Sequence, residues 1–141
     1  MPRRRTWLAA SLLMLAGCAA GIEPGGDYPS VTFDVSAPYD AAYRRASEFV
    51  RVCHTEREYR YGLRYGDNHS VDEKFATTRI EVFKLPEPTR HLEIIETKPN
   101  TKVTSTVTVT VVGAAPWDAQ ELAAARQSIQ TATPVCRPGA D

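Results

Sequence analysis

The chain carries no net charge at pH 7, its 17 Lys and Arg balancing 17 Asp and Glu, and it is poor in reactive side chains, with three cysteines and three histidines in 141 residues. It contains no Cys-x-x-Cys, no Gly-x-Ser-x-Gly, no phosphate-binding loop and no dinucleotide fingerprint. Nothing in it therefore argues for thiol redox work, a serine hydrolase or nucleotide-dependent chemistry. No apolar run approaches the roughly twenty residues of a bilayer-crossing helix. The longest, residues 7–16, is interrupted at Ser11. The zero net charge also conceals an asymmetry, because Arg3, Arg4 and Arg5 sit together at the start; without them 14 basic groups face 17 acidic ones, a net of −3. A mildly acidic body is a poor counterion-releasing surface for phosphate backbones, so no nucleic-acid partner is expected.

Three arginines, an apolar run and the small residue Gly17 before Cys18 make the three-part layout of a secretory signal. The four residues Leu15-Ala16-Gly17-Cys18 resemble the lipobox of bacterial lipoproteins. The resemblance implies that residues 1–17 are cleaved, that Cys18 is the lipidated first residue of the mature chain, and that the membrane is a partner through that lipid. Two or three acyl chains hold a soluble domain stably where one does not. Ala19, in place of the Asp typical of inner-membrane retention, implies an outer-membrane anchor facing the periplasm. Arg4-Arg5 also resembles a twin-arginine signal, although the usual longer leader is missing.

Residues 18–30, with two prolines and three glycines, read as a flexible tether; residues 31–137 read as one domain, and 138–141 as a tail. Alternation predicts a strand over 31–35. Tyr39, Ala42, Tyr43, Ala46, Phe49, Val50 and Cys53 recur at helical spacing and predict a helix over about 37–53. Residues 58–65 alternate strictly and read as a strand, followed by a polar loop over 66–72. Strands are expected over 75–85, 91–97 and 102–112, the last with valines on one face and threonines on the other. Pro116 and Asp118 open a second helix to about residue 130, with Leu122, Ala125 and Ile129 as its apolar stripe. The order β-α-β-β-β-β-α predicts an α+β fold, two helices packed on one face of an antiparallel sheet.

With Cys18 taken by lipid, an exported chain keeps an even remainder, Cys53 and Cys136, expected as one disulfide. It would close a loop worth about 4.6 kcal/mol at most by chain entropy. The alternative, a reactive or metal-binding thiol, has no supporting spacing.

No catalytic residue, metal or cofactor is expected. Cys53 beside His54 would lose its nucleophile on oxidation. Asp67, His69 and Asp72 match no metal-loop pattern. Carboxylate pairs such as Glu93 with Glu96 and Asp72 with Glu73 show no apolar setting that would raise a pKa. The stretch with surplus character is 57–65. There Arg57, Arg60 and Arg64 suit carboxylate or phosphate, and Tyr59, Tyr61 and Tyr65 suit sugar or peptide faces. It reads either as a recognition strand for an anionic envelope ligand (peptidoglycan, lipopolysaccharide or a partner protein) or as a core face of tyrosines backed by solvated arginines. In the second case Arg60 and Arg64 would pair across strands with acids such as Glu81. Beyond the lipobox, the helix with Cys53 and the small size resemble a group of uncharacterised betaproteobacterial envelope lipoproteins. In layout alone the chain is similar to helix-grip domains of outer-membrane assembly lipoproteins. Neither resemblance implies a known activity, and the function expected is that of a non-catalytic structural or assembly accessory of the cell envelope.

Overall fold

The computed structural model describes residues 20–138. The signal, the lipobox with Cys18 and the last three residues lie outside the described residues. The fold is α+β, as expected. Strand β1 (Ser30–Val35) leads into helix α1 (Tyr39–Val50), whose last turn widens into a π-type turn, Arg51–Thr55, and a short 3-10 turn, Arg60–Gly62, follows. Strands β2 (Tyr65–Asp72), β3 (Thr77–Lys84), β4 (His91–Pro99) and β5 (Ser105–Val111) come next, and helix α2 (Ala119–Thr131) closes the chain. All strand pairs are antiparallel, in the order β1-β5-β4-β3-β2, so β4 is central and β1 and β2 are the edges.

The alternation of β5 does what its sequence implies. Val107, Val109 and Val111 are fully buried beneath the helices, while the threonines between them form the outer face. On that outer face Thr108 meets Thr32 at 3.0 Å, and Thr106 donates to Asp34 at 3.1 Å. Phe33, Val35, Ile80, Val82 and Ile95 complete the inner face, against Ala42, Ala46, Phe49, Ala125 and Ile129 of the helices. Each fully buried Val, Ile or Phe contributes about 1.5–3 kcal/mol. The small side chains at 42, 46 and 125 let the helices come close to the sheet. Helix α2 starts at Asp118, whose side chain accepts from Gln120 N at 3.0 Å, and the Arg45 guanidinium from α1 caps its far end on Ile129 O at 3.1 Å.

Two local readings are corrected. Residues 58–64 are not a strand: Tyr61 (φ 61°) and Gly62 (φ 70°) turn the chain over, and the strand begins only at Tyr65. The polar stretch 66–72, expected as a loop, is the body of edge strand β2. Its side chains are polar because an edge strand with little above it is blunted, not buried. Ahead of β1, the described part of the expected tether lies along the sheet. Ile22 N donates to His91 O at 2.8 Å, and a Cβ at Gly21 would stand 2.5 Å from His91 N, so only glycine fits that approach.

Candidate functional site

Cys53 and Cys136 are joined, their Cα atoms 5.3 Å apart, as the sequence predicts. The residue after each cysteine is drawn inward. His54 comes from the π-type turn that ends α1, and Arg137 from the strap following α2; both are buried. Between them stands Glu121, from the first turn of α2, and against them Glu93, from central strand β4, where it opposes Val82 and Val111. The two glutamates are 0 % exposed, and His54 1 %.

His54 Nε2 donates to Glu121 Oε1 at 2.7 Å and lies 3.3 Å from Glu93 Oε2. Arg137 Nη1 donates to the other oxygen of Glu121. Neither oxygen of Glu93 has a hydrogen-bond partner among the described residues. Aromatic rings wall the cluster. Trp117 is 4.9 Å from the His54 ring and 4.6 Å below the Arg137 guanidinium; Phe49 and Tyr65 meet the imidazole edge-on at 5.3 and 6.3 Å. Tyr59 packs on Tyr65 and donates to Cys53 O at 2.7 Å.

The electrostatics follow from the sealing. Burial alone would lower the His54 pKa, but its hydrogen bond to Glu121 and the close charged contacts with both glutamates outweigh that and hold it up at about 9. Burial, then the charge of Glu121, pushes Glu93 up to about 7 against the opposing pull of His54. Burial also works to raise Glu121, but hydrogen bonding and charge from His54, then Arg137, win and keep it below the ordinary carboxylate range. The cluster thus favours a protonated imidazole beside an ionised Glu121, with Glu93 pushed toward its protonated form.

The expectation that no carboxylate of the Glu93 and Glu96 pair lies in an apolar setting is overturned by Glu93. Glu96 is on the opposite face, paired with Arg79 at 2.5 Å. Asp67, His69 and Asp72 do not converge. His69 bridges Asp67 at 2.6 Å and Tyr43 at 2.7 Å, whereas Asp72 accepts from Lys74 N at 3.1 Å in the turn beyond. The 57–65 face is divided: Tyr59 and Tyr65 join the aromatic wall, Arg57 lies 5.6 Å over the Tyr59 ring, and Tyr61 is fully exposed at the turn with Arg60 and Arg64 beside it. Glu81, proposed partner of Arg60 and Arg64, is instead held by Arg79 at 2.7 Å and by His91 at 3.0 Å.

Sequence reasoning weighed Glu93 and set it aside, and it missed Glu121 and Arg137 altogether. For Glu121 a signal existed. Ala124, Ala125, Ser128 and Ile129 form the buried stripe, and Glu121 lies three, four, seven and eight positions before them. Choosing Leu122, which is only half-buried, turned the helix by one residue.

No family model matches the chain, and no curated protein does. Among solved structures, norcoclaurine synthase from Thalictrum flavum, in complex with dopamine and hydroxybenzaldehyde, is similar at 12% identity. That likeness covers 75% of this chain and 85% of that one, with a TM-score of 0.39.

Proposed function

We propose that this protein is a lipid-anchored, non-catalytic accessory of the bacterial cell envelope, held at the outer membrane through Cys18 and presenting its α+β domain to the periplasm. The observation that carries the reading is the pairing of the cysteines. Cys53 and Cys136 are bonded to each other, which leaves Cys18 as the third, at the end of the apolar segment and in lipobox context. A disulfide in a chain this small supports an oxidising compartment. The buried ion cluster supports a structural role, since its charges are turned toward one another beneath an aromatic wall and away from solvent.

The test is Cys18→Ser in cells. Acyl labelling and membrane recovery should both be lost, because serine offers no thiol to the diacylglycerol; normal labelling of that variant would remove the proposal. A second reading, contact with an anionic envelope ligand through the 57–64 turn, is favoured by Tyr61, whose aromatic ring is displayed to solvent on a left-handed backbone position that such residues rarely adopt. Photo-crosslinking from position 61 in the same cells separates the two, a discrete adduct favouring the ligand-binding role.

A further inference from the structure

The Glu93 carboxylate is the anomaly of the core. It is fully buried on the inner face of the central strand, with both oxygens lacking a hydrogen-bond partner among the described residues and Oε2 standing 3.3 Å from His54 Nε2. A buried carboxylate left in this state is costly unless some cation completes it. One potential ligand atom each from His54, Glu93 and Glu121 falls within 4.8 Å of the others, and all three residues are buried. An imidazole and two carboxylates suit a first-row divalent cation, zinc among them, and three protein ligands leave one position for a second Glu93 oxygen or a water.

We propose that His54, Glu93 and Glu121 form a binding site for a divalent transition-metal ion, with Zn²⁺ the ion of choice for testing it. The exchange balances in charge. One doubly charged ion between two ionised carboxylates and a neutral imidazole is a neutral set, so whatever protons these groups hold without metal leave to the buffer on binding. Arg137 keeps the far oxygen of Glu121 in either state and so fixes the orientation of that ligand, as the outer partners of metal-binding carboxylates do. Trp117 and Tyr65, which cover His54, also line a cavity of about 250 Å³ open to the surface beside residues 114–116. That places one aromatic layer, Trp117 and Tyr65, between the cavity and the His54 ring.

The experiment uses the disulfide-intact protein, stripped with chelator and titrated with ZnSO₄ at pH 7 in two buffers of different ionisation enthalpy. Expected are one equivalent bound with protons released to the buffer, and a melting temperature that rises with zinc concentration. Glu93→Gln imitates the protonated acid, so it should keep the fold and the disulfide while losing affinity by about 100-fold or more. No uptake by the wild type, or unchanged affinity in Glu93→Gln, overturns the proposal. If that variant does not fold, zinc X-ray absorption on the wild type decides. One nitrogen donor with oxygens supports the site, while a sulfur or all-oxygen shell overturns it.

Discussion

The two faces of the sheet each carry a set of one histidine, two glutamates and one arginine, in opposite circumstances. Beneath the helices, His54, Glu93, Glu121 and Arg137 are sealed at 0–3 % side-chain exposure. On the outer face His91, Glu81, Glu96 and Arg79 form an equally connected set, with Arg79 bridging both glutamates at 2.7 and 2.5 Å, at 20–36 % exposure. Connectivity is therefore not what separates them. Water reaches the outer set and screens it, so each of its pairs is worth little. The inner set has no such screen, and its charges are tolerable only in combination, which makes the removal of one partner far costlier than the pair's own net contribution.

Replacing Glu121 should give the largest effect. Glu121→Ala strands two buried cations, His54 and Arg137, and is expected to cost about 3–5 kcal/mol in urea unfolding of the oxidised protein. A loss no greater than that of an outer-face variant would erase the distinction between the faces.

Next comes pH, in the presence of chelator. The folded pKa of His54 is raised from 6.5 to about 9, so its contribution is full below pH 6.5 and lost as the pH rises through 9. Glu93 is raised from 4.5 to about 7, so its contribution is full below pH 4.5 and lost through 7. Glu121 is lowered and acts in the opposite sense, its contribution present above pH 4.5 and lost as the pH falls. Facing the cluster as well are the Arg137 guanidinium and the phenols of Tyr59 and Tyr65, whose pKa values burial raises from 10. Stability should then be greatest in weak acid and fall toward pH 9 by on the order of a few kcal/mol. Denaturation midpoints at three pH values check this, and Glu93→Gln should flatten the part of the fall below pH 7.

The smallest effect belongs to Arg79→Ala. It breaks both outer bridges at once, yet should cost less than about 1 kcal/mol and shrink further in high salt.

How far these regions were legible beforehand follows the same division. The valine and threonine rows of β5 and the stripe of α1 state their own burial, because apolar periodicity and the core point the same way. The stretch 58–65 alternates just as cleanly, but positive φ at Tyr61 and Gly62 is a backbone event that alternation does not encode. Edge strand β2 was hidden for the reverse reason: beyond Tyr65 it has almost nothing to bury and so no apolar signal. The disulfide was readable from cysteine arithmetic. The ion cluster was not, because a lone glutamate on an apolar face looks like a solvated residue until its partners, which arrive from 39, 28 and 44 positions away, are brought to it.

The crosslink between Cys53 and Cys136 has basic neighbours on both arms, His54 and Arg137. It therefore acts on the oxidised unfolded chain as well as on the native one, by keeping two positive groups at high effective concentration where a reduced chain would let them drift apart. Their mutual repulsion there disfavours the unfolded ensemble, and it is relieved on folding by Glu121, which accepts from both. Bond and ion cluster are in this sense one device, the covalent half raising the free energy of the unfolded chain that the electrostatic half then relieves on folding.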